Sequence, residues 1–458
     1  MSAAKRKPEK EYRNFIFSLI GGGVLLFSAG YFFINSKDSV LFIYAWKIIS
    51  NLWWIILPIP LWKIFMTAWE EYGGFAFGSR QESVCLEFIP PQDVEKSPQI
   101  VESIFSGVHT WSKPNLFEKY CTWRPLQDKF SFEIASVGDE SVHFFVRCPK
   151  PARDLVEAQI YAQYPDAEIF EVDDYTKQSP INLPNKDWDV WGTVLKFHDE
   201  ENPKPIRTYK NFKEDVTGNM IDPLGSLVEI MNKMTRNEQF WLQIIISPQE
   251  EKKWIPPAKE KIDEFCGKKK KEASNGISKI FSPIADLVGN IPRAFMGQDL
   301  QFSEAAEEKE ETAFNVNQLT PVQQKVVEEM ERKISKVGFD TTMRFVYLGR
   351  RVDFNKAKGV AGGMGAIKQF NDNNLNSLIP DNRTKTFANY YFAEPRLKFR
   401  QRKIVNDFRG RDRAGISYIM NPEELATLFH FPDMSVKSSA IRRVEAKKSE
   451  APANLPME

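Results

Sequence analysis

Residues 130–172, FSFEIASVGDESVHFFVRCPKPARDLVEAQIYAQYPDAEIFEV, decide the reading of the fold. Phe130, Phe132 and Ile134 alternate with polar neighbours, the period of a strand with one covered face. Gly138-Asp139 marks a turn and residues 142–146 continue as a second strand, so the pair predicts a hairpin. Pro151 then opens a helix over 152–164, because proline is pre-organised for the first helical position. Pro165 stops that helix, and 167–172 is a final strand. Working upstream, 83–89 (SVCLEFI) has strand character and ends at Pro90-Pro91. Ile100, Ile104 and Val108 place one apolar face on a helix over 97–109. The order is β-α-β-β-α-β, a split βαβ or ferredoxin-like arrangement.

Downstream the pattern repeats around an insertion. Strands are expected over 190–198, 239–247 (QFWLQIIIS), 341–349 and 415–420, with helices over 223–235 and 354–370. The fold class expected is therefore α+β, with two tandem ferredoxin-like units at 80–175 and 188–432. The insertion spans 249–338 in the second unit. It carries a basic run (Lys268 to Lys271), a mildly amphipathic stretch over 277–296 and an acidic run (Glu307 to Glu311). Docking on an anionic membrane is one reading of that composition, and a solvated loop is the preferred one. The insertion closes with a helix from Pro321, capped by Thr320 and stopped at Gly338. Residues 433–458 are polar and read as a disordered tail.

Of 458 residues, 62 are Lys or Arg and 61 Asp or Glu, a formal charge of +1. That balance excludes a globally basic nucleic-acid coat and an acidic tail protein. Apolar residues at 42% and aromatics at 13% exclude wholesale disorder. Cys85, Cys121, Cys148 and Cys266 are scattered without a CxxC, which fits a reducing compartment rather than a disulfide scaffold or zinc ribbon.

The N-terminus reads as a membrane anchor. Residues 15–34, FIFSLIGGGVLLFSAGYFFI, carry no charge and are long enough to cross a hydrocarbon core. A second apolar stretch follows at about 40–64, interrupted by Lys47 and containing Pro58 and Pro60. The expectation is a two-helix hairpin over 15–66, with a re-entrant or interfacial helix as the alternative for the second segment. Lys5, Arg6, Lys7, Lys10 and Arg13 in the basic segment 1–14 place the N-terminus in the cytoplasm by the positive-inside rule. Two spans return the chain there. The expected location is thus the inner membrane of a bacterium, two-pass, with both termini cytoplasmic.

Signals for catalysis are weak. The segment Gly359-Val-Ala-Gly-Gly-Met-Gly365 suggests a phosphate loop, but Gly365 is followed by Ala366 and the next lysine is Lys368. A P-loop needs GxxxxGK[ST], so the glycines read instead as close helix packing or a helix break. Asp173-Asp174 reads as a solvated strand end and His143 as a half-buried strand residue. No catalytic, cofactor-binding or metal-binding residue is assigned, and a non-enzyme is expected. The densest positive feature is Arg396, Lys398, Arg400, Arg402, Lys403, Arg409, Arg411 and Arg413 on a basic amphipathic helix, interleaved with Tyr390, Tyr391, Phe392, Phe399 and Phe408. It is the candidate surface for a protein partner or, as the alternative, for nucleic-acid phosphates. Exposed sheet edges also make homo-oligomers an option.

Three blocks carry a resemblance: Arg153-Asp-Leu-Val-Glu-Ala-Gln-Ile-Tyr-Ala-Gln-Tyr-Pro-Asp-Ala-Glu-Ile169; Val352-Asp-Phe-Asn-Lys-Ala-Lys-Gly359 with Lys368-Gln-Phe-Asn371; and Asn421-Pro-Glu-Glu-Leu-Ala-Thr-Leu-Phe-His-Phe-Pro432 with Ala451-Pro-Ala-Asn-Leu-Pro456. They resemble the region before the ATPase in membrane-anchored type IV secretion coupling proteins of the TraG/TraD-like kind, in forms found in candidate-phyla (Patescibacteria) bacteria. In long members a hexameric ATPase domain with Walker motifs follows. This chain offers no Walker lysine, so no catalytic residue carries over. The resemblance implies a membrane-anchored scaffold or adaptor that docks a separately encoded P-loop ATPase or another secretion-system protein.

Overall fold

The computed structural model describes residues 47, 51, 58–91, 98–110, 128–212, 222–267, 319–389, 391–413, 415–432 and 441. Helix α1 (Pro58–Arg80) leads into strand β1 (Ser83–Ile89), α2 (Gln99–Gly107), β2 (Phe130–Ser136), β3 (His143–Pro149), α3 (Arg153–Gln163) and β4 (Glu168–Val172). Then come β5 (Trp188–Phe197), α4 (Gly225–Asn232), β6 (Glu238–Pro248), α5 (Glu251–Phe265), α6 (Pro321–Ile334) and β7 (Phe339–Arg350). A π-helical turn (Ala357–Ala361) runs into α7 (Gly362–Lys368), followed by β8 (Leu378–Pro380), α8 (Ala393–Arg409), β9 (Tyr418–Met420) and α9 (Pro422–Leu428).

Among the described residues the strands form one nine-stranded sheet in the order β4-β1-β3-β2-β6-β7-β5-β8, with β9 paired to β7 off that path. Every strand pairing is antiparallel. This corrects the expectation of two tandem ferredoxin-like units, each with its own sheet. Strands β2 and β6 pair from Phe130↔Ile246 to Ser136↔Phe240, so the would-be edges of two units become the middle of one sheet. The last strand also differs from expectation, because the outer position beside β5 is filled by β8 and not by residues 415–420. Local periodicity reports which residues of a strand are covered, but not which distant strand lies alongside it.

The anchor is corrected too. Among the described residues no helix is long and apolar enough to cross a membrane. The first expected span, 15–34, and most of the second lie outside the described residues. Where the second is described, Pro58 is the first residue of a helix whose sequence carries Lys63, Glu70, Glu71 and Arg80. The two-helix hairpin, the integral-membrane character and the two-pass inner-membrane location are therefore not upheld. Also outside the described residues are the basic segment 1–14, residues 268–318 of the expected insertion, and all of the expected tail 433–458 except residue 441.

The sheet has two covered faces. On one, α2, α3, α4 and α7 pack with Phe132, Phe240, Phe345 and Tyr347 into a core that runs through both halves of the chain. Helix α9 is buried along its whole length there, with an Asn421/Glu424 capping box at its start. On the other face α8 lies over Val194, Trp241 and Val346. Helices α5 and α6 form a third cluster around Trp254, Ile262 and Met330, and α6 begins with the Thr320/Gln323 capping box.

The glycine-rich segment is a packing device. A Cβ on Gly359 would lie 2.4 Å from the Tyr347 ring, and one on Gly363 would come within 2.7 Å of Phe240. Gly365 has nothing within 4 Å of that position. Gly359→Ala and Gly363→Ala are therefore expected to destabilise by about 1–3 kcal/mol through overpacking. Gly365→Ala is expected to stabilise by up to about 1 kcal/mol through helix propensity. Urea denaturation of the three variants checks the contrast, and equal effects at all three would remove the packing account.

Candidate interaction surface

Helix α8 buries Gln401, Ile404, Val405 and Phe408, a spacing that keeps one stripe against the sheet. It approaches β5 closely at Gly192, where a Cβ would meet Ile404 at 3.1 Å. Gln401 fixes the register, its Nε2 donating to Asp189 Oδ1 at 2.8 Å and to the Val190 carbonyl at 2.7 Å. With that stripe held, the eight basic residues of the candidate surface separate into two groups.

The C-terminal group points inward. Arg409 donates to the carbonyls of Ile181 (2.7 Å) and Pro180 (2.8 Å) and to Ser179 Oγ (2.8 Å). Arg411 donates to both oxygens of Glu133, at 3.0 and 3.1 Å, and also pairs with Asp174. Arg413 donates to Asp340 Oδ2 at 2.5 Å. Arg400 is intermediate, its Nη1 donating to the carbonyls of Lys385 and Phe387. These four are largely spent on holding the helix end and its neighbouring loops.

Glu133 is the hub beneath the helix. It is fully buried in the middle of β2 and accepts hydrogen bonds from Ser131 (2.5 Å), Tyr175 (2.7 Å) and Gln243 (2.8 Å) besides Arg411. Burial pushes its carboxyl pKa up, but the Arg411 charge and these donors more than offset that and hold it below the ordinary value. Asp174 is brought to about 2, because Arg411 and Thr176 outweigh its burial. Arg147 adds a 2.5 Å contact to Asp174. The strand-end reading of Asp174 as solvated is thereby corrected.

Glu133, Gln243 and Arg344 are register partners on β2, β6 and β7 and form a polar row across the sheet under the end of α8. Arg344 is fully buried, and its guanidinium makes no hydrogen bond among the described residues. Burial depresses its pKa to about 10, against the attraction of Asp407 and Asp412 at the helix end. A cation below a helix C-terminus is also favoured by the exposed carbonyl dipoles. An aromatic ladder flanks the row: His143 on Phe145 (5.7 Å), Phe145 on Tyr175 (4.5 Å), Tyr175 against Trp241 (5.7 Å) and Trp241 against Phe408 (5.2 Å). His143 is buried between Glu87 (2.6 Å) and Asp139 (2.7 Å). Burial lowers its pKa, but the two carboxylates win and raise it to about 9.

The N-terminal group faces solvent. Arg396, Lys398, Arg402 and Lys403 are exposed. The acidic contact at Lys398 is to Glu394, at 3.9 Å with both side chains exposed, which is worth little in water. Phe399, Tyr391 and Phe392 are exposed beside them, and Phe387 lies on the preceding loop. Phe408, grouped with these aromatics in the sequence reading, is in the core, and Tyr390 lies outside the described residues. Sequence reasoning missed Glu133, Gln243 and Arg344 as a row. The available signal was a Glu, a Gln and an Arg placed in the interiors of three otherwise covered strands.

No curated protein matches the chain. A family match does extend over residues 77–443, from the end of α1 past α9. The description of that family names no secretion system, membrane span or activity, so the secretion and transmembrane assignments find no support in it. With most of its length matched, the chain belongs to the family described as Domain of unknown function (DUF8128).

Proposed function

We propose that this protein is a non-enzymatic binding module whose α8 outer face docks an acidic protein partner. One observation carries the reading: Arg396, Lys398, Arg402 and Lys403 stand exposed beside Phe399 on a helix whose other side is locked to the sheet. A rigid helix presents such groups at little entropic cost on binding. Arginines next to aromatics are the residue types that dominate protein interfaces. The near-zero net charge makes this a local patch rather than a global field. The ATPase implied by the sequence resemblance is one partner to test. Nucleic acid is the second reading, favoured by the exposed aromatics available for base stacking.

The test is affinity capture from native extract with the wild-type chain and with R396E/R402E/K403E, with and without nuclease. The proposal expects an acidic protein bound by the wild type, insensitive to nuclease, and reduced about 10-fold or more in the variant, given that several opposed charges are involved. Retention of nucleic acid alone, lost in the variant, would select the second reading. The same proteins captured equally by both chains would sink both.

A further inference from the structure

The two edges of the sheet are built differently. At the β8 end the edge is closed. Strand β8 covers β5 only from Leu195 to Phe197, and it ends in Pro380, which has no N–H to offer a further strand. The loop after it returns along β5 and satisfies the remaining groups. Thr386 Oγ1 accepts from Gly192 N at 2.9 Å and Thr384 Oγ1 from Val194 N at 3.1 Å, while Asp381 N and Thr386 N donate to the carbonyls of Val194 and Gly192. At the other end β4 pairs with β1 on one side, and among the described residues no strand pairs with its outer side. Glu168, Phe170 and Glu171 of β4 are exposed, with no proline in the strand.

We infer that this edge pairs with β4 of a second copy of the chain, antiparallel about Phe170, so that the sheet continues through a two-fold axis. Self-complementarity selects that occupant. Centred on Phe170, the register sets Phe170 opposite the partner copy's equivalent, Glu168 opposite Val172, and Ile169 opposite Glu171. No carboxylate lies directly opposite another, and the central pair is aromatic, a stabilising cross-strand combination. The closest like charges are the two Glu171 side chains, diagonal to each other, and each is already held by Arg153 at 2.5 Å on its own chain. An isologous contact of this kind closes as a dimer and leaves the blunted β8 edges outermost, which stops the sheet from growing into a fibre.

The test uses the full chain and reads its mass by sedimentation. The wild type is expected to be a dimer in the micromolar range. Phe170→Glu places two carboxylates face to face and is expected to weaken the dimer by about 10-fold or more. Phe170 is 47% exposed, so the variant should keep its fold, which far-ultraviolet circular dichroism checks. A cysteine scan tests the register without relying on dissociation. Phe170→Cys should form an intermolecular disulfide on mild oxidation, since directly opposite Cβ atoms lie about 5 Å apart. Val172→Cys alone should not, because it would sit roughly 13 Å along the strand from its counterpart. The pair Glu168→Cys with Val172→Cys should. A monomeric wild type, a dimer indifferent to Phe170→Glu, or cross-linking that ignores this register would each overturn the inference.

Discussion

Arg411→Ala is expected to lower the stability of the fold by about 3–5 kcal/mol, because it strands Glu133 as a buried charge. Glu133 keeps Ser131, Tyr175 and Gln243 as donors in that variant, but loses the positive charge that offsets its burial. Asp174 keeps Arg147. Glu133→Ala is expected to cost a similar amount, since it leaves Tyr175, Gln243 and Arg411 short of an acceptor inside the sheet. The two losses should not add. A double-mutant cycle on Glu133 and Arg411 is expected to return a coupling of about 2 kcal/mol or more. A coupling near zero would mean that the pair is incidental to the fold.

The backbone sharpens this expectation. Arg411 has φ of 53°, the left-handed region, one residue past the C-cap Gly410 that ends α8. A non-glycine residue there costs about 1 kcal/mol. Glycine is the usual choice, so an arginine in that place sits against conformational preference. Arg411→Gly should relieve the strain and yet remain destabilising, by about 1 kcal/mol less than Arg411→Ala. Urea unfolding followed by tryptophan fluorescence suits the measurement, since Trp241 packs against both Tyr175 and Phe408 beside the network. If Arg411→Gly were more stable than the wild type, the ion pairs would be worth less than the strain they impose. The exposed half of α8 rests on this latch, so these variants should also weaken partner capture without touching Arg396 or Arg402.

How much of this was legible in the sequence varies with the range of the interaction. The strands at β2 and β3 and the helix α3 follow from alternation, a Gly-Asp turn and proline placement, all encoded within a few residues. The start of α6 was legible because Thr320 and Pro321 determine it locally. The joining of two strand sets into one sheet was not, because it rests on β2 lying beside β6, more than a hundred residues away. Full burial of both strands is what that pairing requires. The run QFWLQIIIS hinted at it, but continuous apolar runs do not name their neighbours. The glycine segment was read as packing, and Tyr347 and Phe240 supply the surfaces. The arginine cluster read as one surface because sequence records charge and not direction. The helix stops at Arg409, and the chain reversal after it turns Arg411 and Arg413 into the protein.

Two clusters of ionisable groups should confine stability to a pH window with two separate limbs. Glu423 is nearly inaccessible at the start of α9, and accepts from Thr208 (2.7 Å), Lys336 (2.8 Å) and Lys210 (3.0 Å), with Arg332 at 3.3 Å. Burial raises its pKa, but Lys336, Thr208 and Lys210 outweigh that and bring it to about 2. Asp174 also lies near 2, and Glu133 is lowered. Groups with lowered folded values contribute stability above their unfolded values, and that contribution is lost as pH falls through the gap. The acid limb should therefore run from about pH 4.5 down to 2, with Glu423 and Asp174 contributing about 2 kcal/mol each once solvent screening is allowed for. Glu424 works the other way, since burial raises it even against Lys333. The alkaline limb belongs to His143, raised from 6.5 to about 9. Its contribution is complete below pH 6.5 and is lost as pH climbs to 9, leaving a neutral ring between Glu87 and Asp139. Midpoints of urea unfolding from pH 3 to 10 should trace both limbs. His143→Gln should flatten the alkaline limb and leave the acid one, whereas Glu423→Gln should shrink the acid limb by its own share, with Asp174 and Glu133 still contributing, and leave the alkaline one, each with reduced stability at pH 7. An alkaline loss that persists unchanged in His143→Gln would assign that limb to other groups and remove the carboxylate–imidazole–carboxylate clamp from the account of the fold.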